Sequence, residues 1–159
     1  MKRIIVIVVV AVMGLVAEPA RAQLSNLHFG GYSITSIRPQ SFSAVSGSGH
    51  VTVTNDTTAF VMQNIKGIVY KLGTPMVQGR AGDVFVPRGK SDVSVNGEAS
   101  LCEGISIWTI LGCLWGFNIN DYTADISMTV VDEKGNTRHF AENGMSIAAI
   151  LNNLRARKK

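Results

Sequence analysis

Between His50 and Asn96 the apolar residues return at every second position, which leaves few architectures open to this chain. Val51 and Val53, Ile68 and Tyr70, Val84 and Val86, and Val93 and Val95 each stand two apart. Successive side chains of a β-strand point to opposite faces, so this period buries one face and wets the other. Turn-forming residues close each group: Asn55-Asp56, Gly73-Thr74-Pro75, Pro87-Arg88-Gly89 and Asn96-Gly97. The block predicts antiparallel sheet with a sandwich core.

The pattern extends in both directions. After a polar lead-in from Gln23 to Gly31, Tyr32, Ile34 and Ile37 predict a first strand that Pro39 stops. Ser41 to Gly49, rich in serine and glycine, reads as a loop. Phe60 to Lys71 is a longer strand whose alternation changes phase near Gly67, where a bulge would re-aim the side chains. Asp121 to Asp132 alternates most cleanly, with Tyr122, Ala124, Ile126, Met128 and Val130 on one face. Glu133-Lys134-Gly135-Asn136 turns it into a hairpin with Thr137–Phe140. The period then changes to that of a helix: Ser146 is the expected N-cap, and Ile147, Ile150, Leu151 and Leu154 share a face. The expected class is all-β: an antiparallel immunoglobulin/fibronectin-III-like β-sandwich, with a short helix near 105–115 and a C-terminal helix near 146–156.

Lys2 and Arg3 precede an uncharged apolar run from Ile4 to Ala17, and Ala20-Arg21-Ala22 follows as a small-x-small cleavage pattern. That predicts a signal peptide over 1–22, one domain over 23–159, and a periplasmic or secreted product. An uncleaved anchor is the competing reading. As a helix the run would span only about 21 Å, short of the roughly 30 Å hydrocarbon core.

Export changes the meaning of the charge. Of 15 basic and 11 acidic residues, Lys2, Arg3, Arg21 and Glu18 fall in the leader, leaving 12 and 10. Four of those 12 are Arg155, Arg157, Lys158 and Lys159, so the expected folded body is slightly acidic. A nucleic-acid binder carries its basic patch on the fold, and that class is not expected here. The basic segment reads as a solvated helix end, or as a peripheral contact for an anionic membrane.

Ile105 to Ile119 carries no charge and holds both tryptophans. A helix apolar around most of its circumference is buried or lies against something apolar. Two readings stand side by side: a plug for one end of the sandwich, or a contact for lipid, ligand or an envelope protein. The contact candidates are Ile105, Ile107, Trp108, Leu111, Leu114, Trp115 and Phe117. Cys102 and Cys113 flank this region. In one continuous helix their Cα atoms would stand about 16.5 Å apart, too far for a disulfide. Gly104 and Gly112 could break the helix and permit the bridge, and two small buried hydrophobes is the other reading.

Catalytic and metal signatures are absent from the sequence. The three histidines, His28, His50 and His139, are scattered, without zinc-ligand spacing. Asp132 to Asn136 lacks the ligand series of a calcium loop and reads as a turn. Asn55-Asp56-Thr57 matches a glycosylation sequon yet equally fits a turn, the preferred reading. Asp121, Asp125 and His139 would make a hydrolase only by converging in a pocket. No cofactor motif precedes a helix.

The ordered series Val51–Asn55, Asn64–Pro75, Val77–Gly79, Val86–Lys90 and Val93–Val95 resembles the late embryogenesis abundant type 2 family, also called the water stress and hypersensitive response domain. The likeness runs from about Tyr32 to Val131 and is strongest to small exported bacterial members, which share a segment like Leu101-Cys102-Glu103-Gly104. This chain departs from the family at Asn55-Asp56, where Asn-Pro is usual. The resemblance implies an antiparallel β-sandwich with one short helix, a non-enzymatic role in stress protection, and lipid as a suggested ligand.

Overall fold

A computed structural model describes residues 27–113, 115–149 and 152. The expected leader, Leu114, the basic segment and most of the C-terminal helix lie outside the described residues. Eight strands account for most of the rest: β1 (Leu27–Pro39), β2 (Ala44–Asn55), β3 (Phe60–Lys71), β4 (Thr74–Ala81), β5 (Val84–Val86), β6 (Gly89–Leu101), β7 (Tyr122–Asp132) and β8 (Thr137–Ser146). One α-helix, α1 (Ile107–Cys113), and a short 3-10 turn (Ile119–Asp121) fill the β6–β7 connection.

All pairings are antiparallel, in the order β1-β2-β6-β4-β3-β7-β8, with β5 paired to the start of β3. Strand β4 bonds to both β3 and β6, so the sheet rolls over and faces itself. Val51 and Val53 of β2 and Val93 and Val95 of β6 thereby share one core with Met62, Ile65 and Val69 of β3 and with the inward residues of β7. The class is the expected one, an all-β sandwich-like fold. Met62, Ile65, Val84 and Val86 are almost wholly buried, each contributing roughly 1.5–3 kcal/mol from the area removed from water.

The strands run longer than the alternation suggested. β1 begins at Leu27, inside the expected lead-in, because Leu27 to Tyr32 pair with Asn55 to Val51. Ala44–Gly49 is strand, not loop, since β2 is flanked on both sides by β1 and β6. Asn96-Gly97 does not turn either. Gly97 lies opposite Gly47 on one side and Ala81 on the other, and a Cβ there would meet the Arg80 carbonyl at 3.3 Å. A double ladder outweighs the weak strand preference of serine and glycine, and the missing side chains let neighbouring backbones approach where the sheet rolls. The phase change in β3 sits at Asn64 (φ 52°), between the register positions of Gln63 and Lys66, three residues before Gly67.

The far end of the sandwich is closed by Asn55. Its amide nitrogen donates to the carbonyls of Thr58 (3.0 Å) and Pro87 (3.3 Å), and its oxygen accepts from the Thr57 amide (3.0 Å) and hydroxyl (2.8 Å). The sequon is thus an exposed turn built around the buried Asn55 side chain, and the turn is the preferred reading. In the β7–β8 hairpin, Asp132 accepts from the Lys134 and Asn136 amides at 2.9 Å and from the Asn136 side chain at 3.0 Å. Hydrogen bonds from Asn136 hold that carboxyl below the usual range.

Candidate functional site

Helix α1 begins where Ser106 caps it, accepting from the Thr109 amide at 3.2 Å. It is shorter than the expected 105–115 span, and Trp115 lies beyond its last turn. Ile110 and Cys113 face inward and, with Met76, Val77 and Ala99, form a second core beneath the helix; Val45, Leu101 and Ile105 pack at its margin. Part of Ile105–Ile119 is therefore a plug. The rest is not. Trp108 is 78 % and Trp115 87 % exposed, and Phe117, against the Tyr122 ring at 5.1 Å, is 37 % exposed. Ile107 and Leu111 are half-buried.

Two more apolar side chains join them from elsewhere in the chain. Phe42, at the tip of the β1–β2 turn, is 95 % exposed, and Leu72, at the tip of the β3–β4 turn, is 75 % exposed. Backbone bonds stitch these segments to one end of the sandwich: Leu101 to Ser43 (2.8 Å), Cys102 to Met76 (3.0 Å) and Leu72 to Asp121 (2.9 Å). Among the described residues, five of the six large exposed hydrophobics gather at this end, Phe85 being the sixth. Isolated exposed apolar residues are ordinary; a gathered set is not.

Leu72 also has left-handed backbone geometry (φ 49°). That conformation costs a non-glycine residue about 1–2 kcal/mol, and glycine or asparagine would fit the turn better. Neither Phe42 nor Leu72 was singled out in the sequence. The available signal was an apolar residue at the tip of a turn, where a polar one is usual.

Below the helix, Lys71 Nζ lies 3.6 Å from Cys113 Sγ, and the Tyr122 hydroxyl bonds the same thiol. Cys102 and Cys113 are both free thiols, Cys113 buried and Cys102 half-exposed. Burial pushes the Cys102 thiol up. Tyr122 is pushed up to about 12, first by burial, then by the charge and hydrogen bond of Cys113 and by Asp121. A phenol with a raised folded pKa contributes stability that is complete below its ordinary value near 10 and is lost as pH rises through the folded value. The urea midpoint should therefore fall across the interval from about pH 10 to about pH 12. Tyr122→Phe should flatten the decline in that interval; an equal decline in the variant would assign it elsewhere. Tyr70 is raised as well, first by its hydrogen bond to Asp125.

The residues required for a hydrolase do not converge. Asp125 and the His139 partner Thr129 stand four residues apart along β7, about 13 Å, and Asp121 lies in the 3-10 turn before the strand. Asp125 accepts from the Gly144 amide at 2.8 Å, shaping the bulge in β8, and His139 bonds Thr129 at 2.9 Å. Among the described residues no group of three His, Cys, Asp or Glu side chains could hold a metal ion. An open groove of about 600 Å³ crosses β2, β6, β4 and β3, where Arg80 and Glu98 pair at 2.8 Å. Among the described residues no helix is long and apolar enough to cross a membrane.

Fold and surface together define an all-β sandwich with an aromatic end. No known family profile matches the chain, and no curated protein matches it. Among solved structures it is similar to a protein from Archaeoglobus fulgidus, at 11 % identity and TM-score 0.43, covering 74 % of this chain and 94 % of that one. It is also similar to a beta-glucuronidase from glycoside hydrolase family 2 (10 %, TM-score 0.35), covering 76 % of this chain and 13 % of that one. A FixG-related protein from Vibrio parahaemolyticus matches at 13 % and TM-score 0.28, over 76 % of this chain and 96 % of that one. Likeness at this level carries no functional argument.

Proposed function

We propose that this is an exported, non-enzymatic binding domain, of the late embryogenesis abundant type 2 kind, whose working surface is the aromatic end. It acts by presenting apolar area to an apolar ligand, a lipid surface or an envelope protein. The gathering of Phe42, Leu72, Trp108, Trp115 and Phe117 on one end is the observation that carries this reading. The strained backbone of Leu72 supports it, because that leucine is a poor choice for the turn itself. Pairing through an open strand edge is the competing reading. The register shifts along β1 and Arg138, His139 and Glu142 on β8 are devices that discourage such pairing.

Dodecylphosphocholine micelles provide a direct test, because both tryptophans lie on the surface in question. Their emission should move to the blue when micelles are added. The double variant F42S/L72S, which keeps both tryptophans, should need at least about a hundredfold more micelle for the same change, since each lost side chain removes roughly 1.5–3 kcal/mol of apolar burial. L72N alone should be as stable as the parent or about 1 kcal/mol more stable. Emission indifferent to micelles would end this reading.

A further inference from the structure

On the side of the sheet turned away from the core, one register row crosses five strands. Arg38 of β1 stands opposite Ser46 of β2, Ser46 opposite Glu98 of β6, Glu98 opposite Arg80 of β4, and Arg80 opposite Lys66 of β3. Opposed residues of antiparallel strands share a face, and the chain neighbours Ile65 and Ala99 point the other way, into the cores. The row holds three basic side chains against one acidic. Glu98 takes Arg80, whose Nε and Nη2 donate to one carboxylate oxygen at 3.0 and 2.8 Å. Arg38 and Lys66 have no carboxylate partner among the described residues. Lys66 directly opposite Arg80 is a costly choice, because like charges at opposed positions repel.

The row lies over two hollows of about 600 and 590 Å³, and Arg80 and Glu98 line both. Lys66 is the other cation of the first hollow and Arg38 that of the second. Short, half-buried side chains at Ala44, Ser46 and Ser48 keep the floor low between the long basic ones. From Arg38 to Lys66 the row covers four strand spacings, about 19 Å along the sheet.

We infer that this face binds an acidic polysaccharide, laid across the strands with its carboxylates on Lys66, Arg80 and Arg38. Cations spaced over that length match an extended ligand with repeated negative charges. Arginine grips a carboxylate through parallel N–H bonds, and lysine meets it as a point charge. Between the cations, Gln78, Ser100, Ser48 and Asn96 offer amides and hydroxyls to sugar hydroxyls. An exposed ion pair such as Arg80–Glu98 contributes little, so a ligand carboxylate replaces Glu98 at small cost. A nucleic acid fits less well, because none of the lining residues is aromatic and bases would find no platform. An acidic peptide also fits less well. Extended peptides take main-chain bonds from an open strand edge, whereas β2, β6, β4 and β3 are each flanked on both sides. This site uses none of the side chains of the aromatic end and does not depend on what that end binds.

A fluorescein-labelled oligogalacturonate tests the inference, its anisotropy reporting binding to the mature chain, with a labelled dextran oligomer as the uncharged control. The parent should bind the oligogalacturonate and not the dextran, and high salt should weaken that binding. R38Q/K66Q leaves the Arg80–Glu98 pair intact. It should bind at least about tenfold more weakly, with a urea midpoint equal to the parent's or higher, since it relieves the Lys66–Arg80 repulsion. E98Q, which removes the competing carboxylate, should bind severalfold more tightly. F42S/L72S should titrate like the parent, so the micelle response and this binding stand or fall separately. A parent indifferent to oligogalacturonate overturns the inference. So does equal binding by the parent and R38Q/K66Q, which would place the polymer on other cations of the chain. Tighter binding of labelled polyglutamate than of oligogalacturonate, lost in R38Q/K66Q, would assign the row to an acidic peptide and overturn it as well.

Discussion

Asn55→Ala should cost about 2–4 kcal/mol of folding stability, lowering the thermal midpoint by roughly 10 °C. Asn55 is 1 % exposed, and both ends of its amide are engaged. Alanine would leave the Pro87 and Thr58 carbonyls without their donor and the Thr57 amide without its acceptor. Each buried group so stranded costs about 1–3 kcal/mol, less where water reaches it. Asn55→Asp separates the two halves of the side chain. An aspartate keeps the oxygen that Thr57 uses but turns a second oxygen toward the two carbonyls. Its neutral form can donate to one of them; its charged form repels both. The folded state should then hold that carboxyl protonated, with a pKa above the ordinary value near 4. The variant should be closest to the parent in acid and lose stability as pH rises through that raised value. Urea unfolding at several pH values measures it. An Asn55→Ala variant as stable as the parent would show that the corner is held by the strands alone.

The same corner shows what the sequence could and could not disclose. Asn55-Asp56 announced a turn, and the period of two announced the strands, because both signals are local. Val51, Val53, Val93 and Val95 declare their face through their spacing alone, and the structure buries all four. Ala44 to Gly49 and Asn96-Gly97 are strand for a non-local reason: each has a partner on both sides, and pairings between residues some fifty positions apart leave no mark on composition. The candidate site divides in the same way. An uncharged stretch containing both tryptophans was visible in sequence, but which residues plug and which protrude was decided by the second core under α1. Phe42 and Leu72 are distant in sequence from that stretch. They join it only because four segments end at the same end of the rolled sheet.

Ile147→Ala should cost about 2–4 kcal/mol, as expected for truncating a fully buried branched side chain whose surroundings cannot collapse. Ile147 is 1 % exposed and packs into the main core from beyond the last strand, closing it where β8 ends. The comparison with W108S/W115S gives the number its meaning. Both changes remove large apolar side chains, yet Ile147 is sealed in the main core while the tryptophans are exposed. Removing the exposed tryptophans should alter stability by no more than about 0.5 kcal/mol while abolishing micelle binding, read as the slowed diffusion of the micelle-bound protein. Ile147→Ala, at a temperature where it remains folded, should bind micelles like the parent, because the exposed aromatic side chains are intact. The two variants thus invert each other's effects on the urea midpoint and on micelle binding. A tryptophan pair as costly to remove as Ile147 would make the aromatic end an extension of the core, and the surface proposed for it would no longer be free to bind.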